Sequence, residues 1–105
     1  MAFVKVATLR EIPEGELLGV EAEGKKICLA NVEGEVYAFA DNCSHRDFQL
    51  SLGELDTEEC TVTCEWHGAA FDIRSGDVVC PPATRPIAVY PCRIEGDHIL
   101  VDLPG

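Results

Sequence analysis

Two short segments of this chain each place a cysteine close to a histidine. "CSHRDF" spans residues 43–48 and puts Cys43 two positions before His45. "CEWHG" spans residues 64–68 and puts Cys64 three positions before His67. Eighteen residues separate His45 from Cys64. Thiolate and imidazole are ligands of zinc and of the iron in iron–sulfur clusters. A strand-like run precedes each pair: "VYAFADN" the first, "CTVT" the second. Two such loops, side by side on a β scaffold, would present four ligands to one centre.

The chain's 105 residues fit one domain, 1–105, with a modest core. An apolar content of 47% argues against disorder. The longest apolar runs are too short to cross a bilayer. The opening "MAFVKVATLREIPEG" lacks a long apolar signal core and a small-residue cleavage site, so a soluble, cytoplasmic protein is expected. Six cysteines in that compartment are expected as reduced thiols or metal ligands rather than disulfides.

The formal net charge is −11. Nucleic acid is disfavoured, because phosphate binding needs Lys and Arg to displace counterions. Anionic membranes are disfavoured for the same reason. The acidity serves either solubility or docking onto a basic protein partner. Residues 46–72 hold seven acids against one base, Arg46.

Short runs rich in Val, Ile, Leu and Thr alternate with glycine and proline punctuation. "KKICLANV", the turn "EG" and "EVYAFA" predict a β-hairpin over residues 25–40. Further turns are expected at Glu23-Gly24 and at Gly96-Asp97. Ile99, Val101 and Leu103 alternate along the last stretch, as in a half-buried strand. "LREIPEGE" suits one helical turn before Pro13. No run of ten residues shows a clean helical period, so the fold class is all-β: antiparallel strands in a small sandwich or barrel. Residues 42–82 are less regular and are expected to form a loop-rich, ligand-bearing subdomain inserted into that framework.

A lone cysteine is ordinarily a small buried hydrophobe, but two mixed pairs make coincidence a poor account. A structural Cys₂His₂ zinc site ordinarily keeps both cysteines in one pair and both histidines in the other. The mixing here weakens a zinc-held interaction module and leaves it as an alternative. A [2Fe–2S] cluster gives the mixing a direct use. With two cysteines on one iron and two histidines on the other, neutral imidazoles replace two anionic thiolates. The cluster then accepts an electron more readily than an all-cysteine one.

The segments "CSHRDF" and "CEWHGAAFDIRSGDVVCPP" resemble the Rieske family, whose signature is C-x-H followed by C-x-x-H. Gly53, Gly68, Phe71-Asp72, Ser75-Gly76 and Pro81-Pro82 extend the likeness. It is closest to the soluble Rieske ferredoxins of multicomponent aromatic-ring dioxygenases; the small subunit of assimilatory nitrite reductase is the neighbouring alternative. The resemblance implies that Cys43 and Cys64 bind one iron, and His45 and His67 the other. It implies a one-electron carrier without catalytic residues, taking electrons from a flavin-dependent reductase and delivering them to a terminal oxygenase in aromatic hydrocarbon catabolism. Two departures stand out: the 18-residue spacer is slightly long, and Glu65 replaces a common proline.

High-potential relatives add a disulfide between the cluster loops and hydroxyls near the sulfurs. Here Phe48 and Trp66 occupy the disulfide positions, and Ala69 and Phe71 the hydroxyl positions. Hydrogen bonds to sulfur stabilise the reduced cluster, so their loss predicts a potential of roughly −150 mV rather than +300 mV. Cys28 and Cys92 are expected as packing residues, Cys80 beside the site, and His98 as a surface residue. Pro81 and Pro82 are expected as a stiff third wall, and Gly53 and Gly68 as backbone-permissive positions.

Overall fold

The computed structural model describes residues 2–41, 50–64, 69–80 and 86–103. These residues build three antiparallel sheets. The first joins β1 (Ala2–Thr8), β11 (His98–Leu103) and β10 (Cys92–Glu95), with β11 in the middle. The second runs β2 (Leu17–Ala22), β3 (Lys25–Val32), β4 (Glu35–Ala40) and β9 (Val89–Tyr90). The third runs β5 (Glu54–Asp56), β6 (Thr61–Thr63), β7 (Ala70–Asp72) and β8 (Val78–Cys80). The helical content among the described residues is two one-turn 3₁₀ segments, Leu9–Glu11 and Leu50–Leu52. The all-β expectation holds, and so does the helical turn before Pro13.

The expected hairpin is present in register, with Val32 opposite Glu35 and Ile27 opposite Ala40. Its turn residues Glu33 and Gly34 have φ of 52° and 90°. Glu23 and Gly24 repeat this between β2 and β3, with φ of 50° and 77°. Positive φ at both central positions marks a type I′ turn, whose twist matches the flanking strands. Gly96-Asp97 closes the β10–β11 hairpin as expected.

The middle sheet is covered on both faces. In β3, Cys28, Ala30 and Val32 join a core with Phe39, Leu50, Val62 and Phe71, which fills the space toward the third sheet. Ile27 and Leu29 point the other way, into a core with Ala38, Ile99 and Val101 toward the first sheet. This is why residues 27–32 are all buried and β3 reads as a continuous apolar run. Asn31 is its polar exception. Its amide donates to the Ile12 carbonyl (2.8 Å), and its side-chain oxygen accepts the Gly34 N–H (3.0 Å). The aromatic rings of Phe39 and Phe71 are fully buried in the first of these cores. Each contributes about 1.5–3 kcal/mol by leaving water.

The stretch expected to be loop-rich contains the whole third sheet. Its strands are three residues each, too short for an alternating pattern to show.

Candidate metal centre

Of the four expected ligands, Cys64 lies among the described residues; Cys43, His45 and His67 lie outside them. So do Phe48, Trp66, Gly68, Pro81 and Pro82. What the structure places is the frame from which the ligand segments leave.

The first segment, 42–49, leaves from the end of β4 and returns at the Leu50–Leu52 turn. Both ends are fixed. Ala40 and Asp41 donate their N–H groups to the carbonyls of Ala88 (2.9 Å) and Lys26 (3.1 Å). The Asp41 carboxylate then accepts the Ser51 N–H (2.7 Å) and the Ser51 hydroxyl (2.8 Å). Leu50, fully buried, plugs the core beneath.

The second segment, 65–68, lies in the chain between β6 and β7. Thr63 pairs with Ala70, and the Cys64 N–H donates to the Ala69 carbonyl at 2.7 Å, closing the base. Cys64 is fully buried in the same core as Leu50, Ala69 and Phe71. The two bases are neighbours, since Glu54 pairs with Thr63. Gly53 also lies so close to the Thr63 carbonyl that a Cβ there would collide with it. Gly53 therefore serves close approach, not the unusual backbone angle expected of it; its φ is not among the positive ones. The third segment, 81–85, follows Cys80, whose backbone pairs with Ala70 beside the second base.

Of the remaining cysteines, Cys28, Cys60 and Cys92 pack against the two cores, and the Cys80 side chain lies outside what is described. Cys28, Cys60 and Cys92 are free thiols. Burial, aided by the Asp41 charge, pushes the Cys28 thiol far above its ordinary range. Burial pushes Cys92 up to about 11. Thiols held protonated in this way are poor nucleophiles and poor ligands. His98 is exposed, as expected. Among the described residues no group of three or more His, Cys, Asp or Glu side chains is placed to hold a metal, and no helix is long and apolar enough to cross a membrane.

Sequence reasoning missed Asp41, Ser51 and Gly19. The available signals were an acid two residues before the C-x-H pair and a glycine interrupting the strand "LLGVEA".

Two β-tipped bases pinned together hold the ends of both candidate ligand segments side by side, and the one expected ligand among the described residues, the buried Cys64 thiol, is of a type that an iron–sulfur cluster takes. The chain belongs to the Rieske [2Fe-2S] domain family, whose description matches residues 2–91. It carries one Rieske-type cluster, which sets the zinc alternative aside.

Within that family it is 41% identical to the ferredoxin component of the naphthalene 1,2-dioxygenase system of Pseudomonas aeruginosa, over 96% of this chain and 95% of that one. Its fold matches the ferredoxin of carbazole 1,9a-dioxygenase from Nocardioides aromaticivorans IC177 with a TM-score of 0.92 and 29% identity, covering 96% and 97% of the two chains. A chain in the complex of reduced oxygenase and oxidized ferredoxin in carbazole 1,9a-dioxygenase matches at TM-score 0.86 and 27% identity, covering 94% and 91%. A structure named for the small subunit of an NADPH nitrite reductase shares the fold (TM-score 0.85), but at 17% identity it shows the fold alone.

Proposed function

We propose that this chain is the ferredoxin component of an aromatic-ring dioxygenase system. It works as a one-electron carrier between a flavin-dependent reductase and a terminal oxygenase. The observation that carries this is likeness along almost the full length of both chains to a dioxygenase-system ferredoxin. That a structural relative is found in complex with an oxygenase supports the second partner. The reductase is the matching donor, since an electron carrier needs one. The free thiols of Cys28, Cys60 and Cys92 suit the reducing cytoplasm.

Cys43 and Cys64 hold one iron of the cluster, and His45 and His67 the other. When bound, the cluster supplies one-electron exchange. The chain supplies the rest. Residues 1–105 form one domain, and the part from about 42 to 82 is the cluster-binding subdomain. Cys64 presents its thiolate from a buried position where water is excluded. Ala69 and Phe71, both fully buried, bring no hydroxyl to the sulfurs. This favours a potential at the low end of the Rieske range.

EPR during a potential titration of anaerobically purified protein tests the reading. Expected are two irons per chain, a reduced-state signal coupled to two histidine nitrogens, and turnover when reductase and oxygenase are added. Colourless, iron-free protein would overturn it.

A further inference from the structure

A carboxylate at the end of β4 has no part in electron exchange as described so far. Asp41 is 2% exposed. Both its oxygens are engaged by Ser51, one by the backbone N–H and one by the hydroxyl. Among the described residues no Lys, Arg or His forms an ion pair with it. Burying a carboxylate is unfavourable unless it is hydrogen-bonded or paired, and here Ser51 supplies a bond to each oxygen. The contact is also built for. A Cβ on Gly19 would stand 2.7 Å from the Ser51 hydroxyl and 2.8 Å from the nearer Asp41 oxygen. With glycine here β2 passes this close without displacing either side chain.

Its position in the chain gives the charge a target. Asp41 and Ser51 are the two ends of the segment that contains Cys43 and His45. Two Cα–Cα steps separate Asp41 from Cys43, so their Cα atoms are within about 7.6 Å. A negative charge that near a redox centre disfavours the added electron. The same charge already contributes to holding the Cys28 thiol protonated.

We propose that Asp41 is a positioning residue for the cluster: latched to Ser51 against Gly19, it closes the base of the first ligand loop, and its charge holds the reduction potential down. This rests on Cys43 and His45 being ligands. The latch and the charge are separable by substitution. Asp41→Asn keeps an acceptor for the Ser51 N–H and a donor for its hydroxyl, and removes the charge. Ser51→Ala cuts one bond and keeps the charge. Gly19→Ala wedges the latch open.

Protein-film voltammetry and chelator-induced bleaching of the visible absorption read the two effects. Asp41→Asn is expected to retain its cluster and shift the potential positive. Ser51→Ala and Gly19→Ala are expected to bleach about tenfold faster, as loss of one hydrogen bond to a charged acceptor implies, with Ser51→Ala keeping the wild-type potential. Glu33→Gln removes one charge at the far end of β3 and should leave both readings alone. An unmoved potential in Asp41→Asn, or an equal shift in Glu33→Gln, overturns the role of the charge. Wild-type bleaching in Ser51→Ala overturns the latch, and needs no data from Gly19→Ala should that variant not fold. Wild-type protein lacking couplings to two histidine nitrogens overturns the ligand assignment, and the proposal with it. Normal couplings with unmoved variants overturn the proposal alone.

Discussion

Gly53 and Cys64 show how two single residues bring the ligand segments together. Gly53 sits between the Leu50–Leu52 turn and β5, and its missing side chain is what lets it lie against the Thr63 carbonyl of β6. Adding a methyl group forces backbone from backbone, since no flexible side chain is there to give way. Gly53→Ala should therefore lower stability by about 1–3 kcal/mol, in the range of overpacked cores. Thermal or urea unfolding of the apoprotein measures it; an unchanged midpoint would mean the two bases are not rigidly joined. At Cys64 the demand is chemical. Its neighbours are apolar, and its backbone already closes the hairpin through Ala69. Cys64→Ala should keep the far-UV spectrum of the fold and lose the iron. Iron analysis decides, and near-wild-type iron would remove Cys64 from the ligand set.

The elements differ in how plainly the sequence announces them. Glu23-Gly24, Glu33-Gly34 and Gly96-Asp97 were readable as turns because each glycine stands between apolar runs and, in the fold, takes positive φ. Alternation in β11 was readable because one of its faces is buried, giving Ile99, Val101 and Leu103 a common side. The third sheet was not readable, since three residues per strand carry barely one period. The Asp41–Ser51 contact was hidden for another reason: it joins residues ten apart through a segment with no regular pattern. The candidate ligands stand out in the sequence because their chemistry is rare; the frame around their segments does not, because it is made of ordinary residues.

The β7–β8 hairpin shows this again. Asp72 accepts the Arg74 backbone N–H (2.8 Å), and its carboxylate also receives Nε (3.2 Å) and Nη2 (3.0 Å) of the same residue. These bonds hold its carboxyl below the usual range, the side-chain bond from Arg74 most of all. A carboxyl lowered in the folded state stabilises the fold fully above its unfolded value, near pH 4. That contribution fades as pH falls through the lower folded value. Asp72→Asn should therefore reduce stability at neutral pH and flatten the acid limb of the stability curve below about pH 4. Urea unfolding at several pH values checks this. A variant curve parallel to wild type through the acid range would count against it.

At the scale of the whole molecule, a net charge of −11 repels like-charged surfaces and attracts a basic partner from a distance. Which acids matter depends on where they sit relative to the cluster end. The fold supplies a matched pair. Glu23 and Glu33 are both exposed, both first in a two-residue turn, and both at φ near 50°. They lie at opposite ends of β3, about 25 Å apart by strand rise. The Glu23 end is the one beside which the candidate ligand segment leaves β4, because Asp41 donates its N–H to the Lys26 carbonyl there. Glutamine at either position removes one charge with similar effect on its turn, so stability should change alike. Electron transfer to the terminal oxygenase should not. At physiological ionic strength charges are screened over about 8 Å, so only the nearer one reaches a partner docked at the cluster end. Glu23→Gln should slow the second-order reaction with the oxygenase and weaken its dependence on salt. Glu33→Gln should follow the wild-type salt curve. Stopped-flow rates from low to high salt make the comparison, and equal slopes for the two variants would show that net charge, not its placement, governs the encounter.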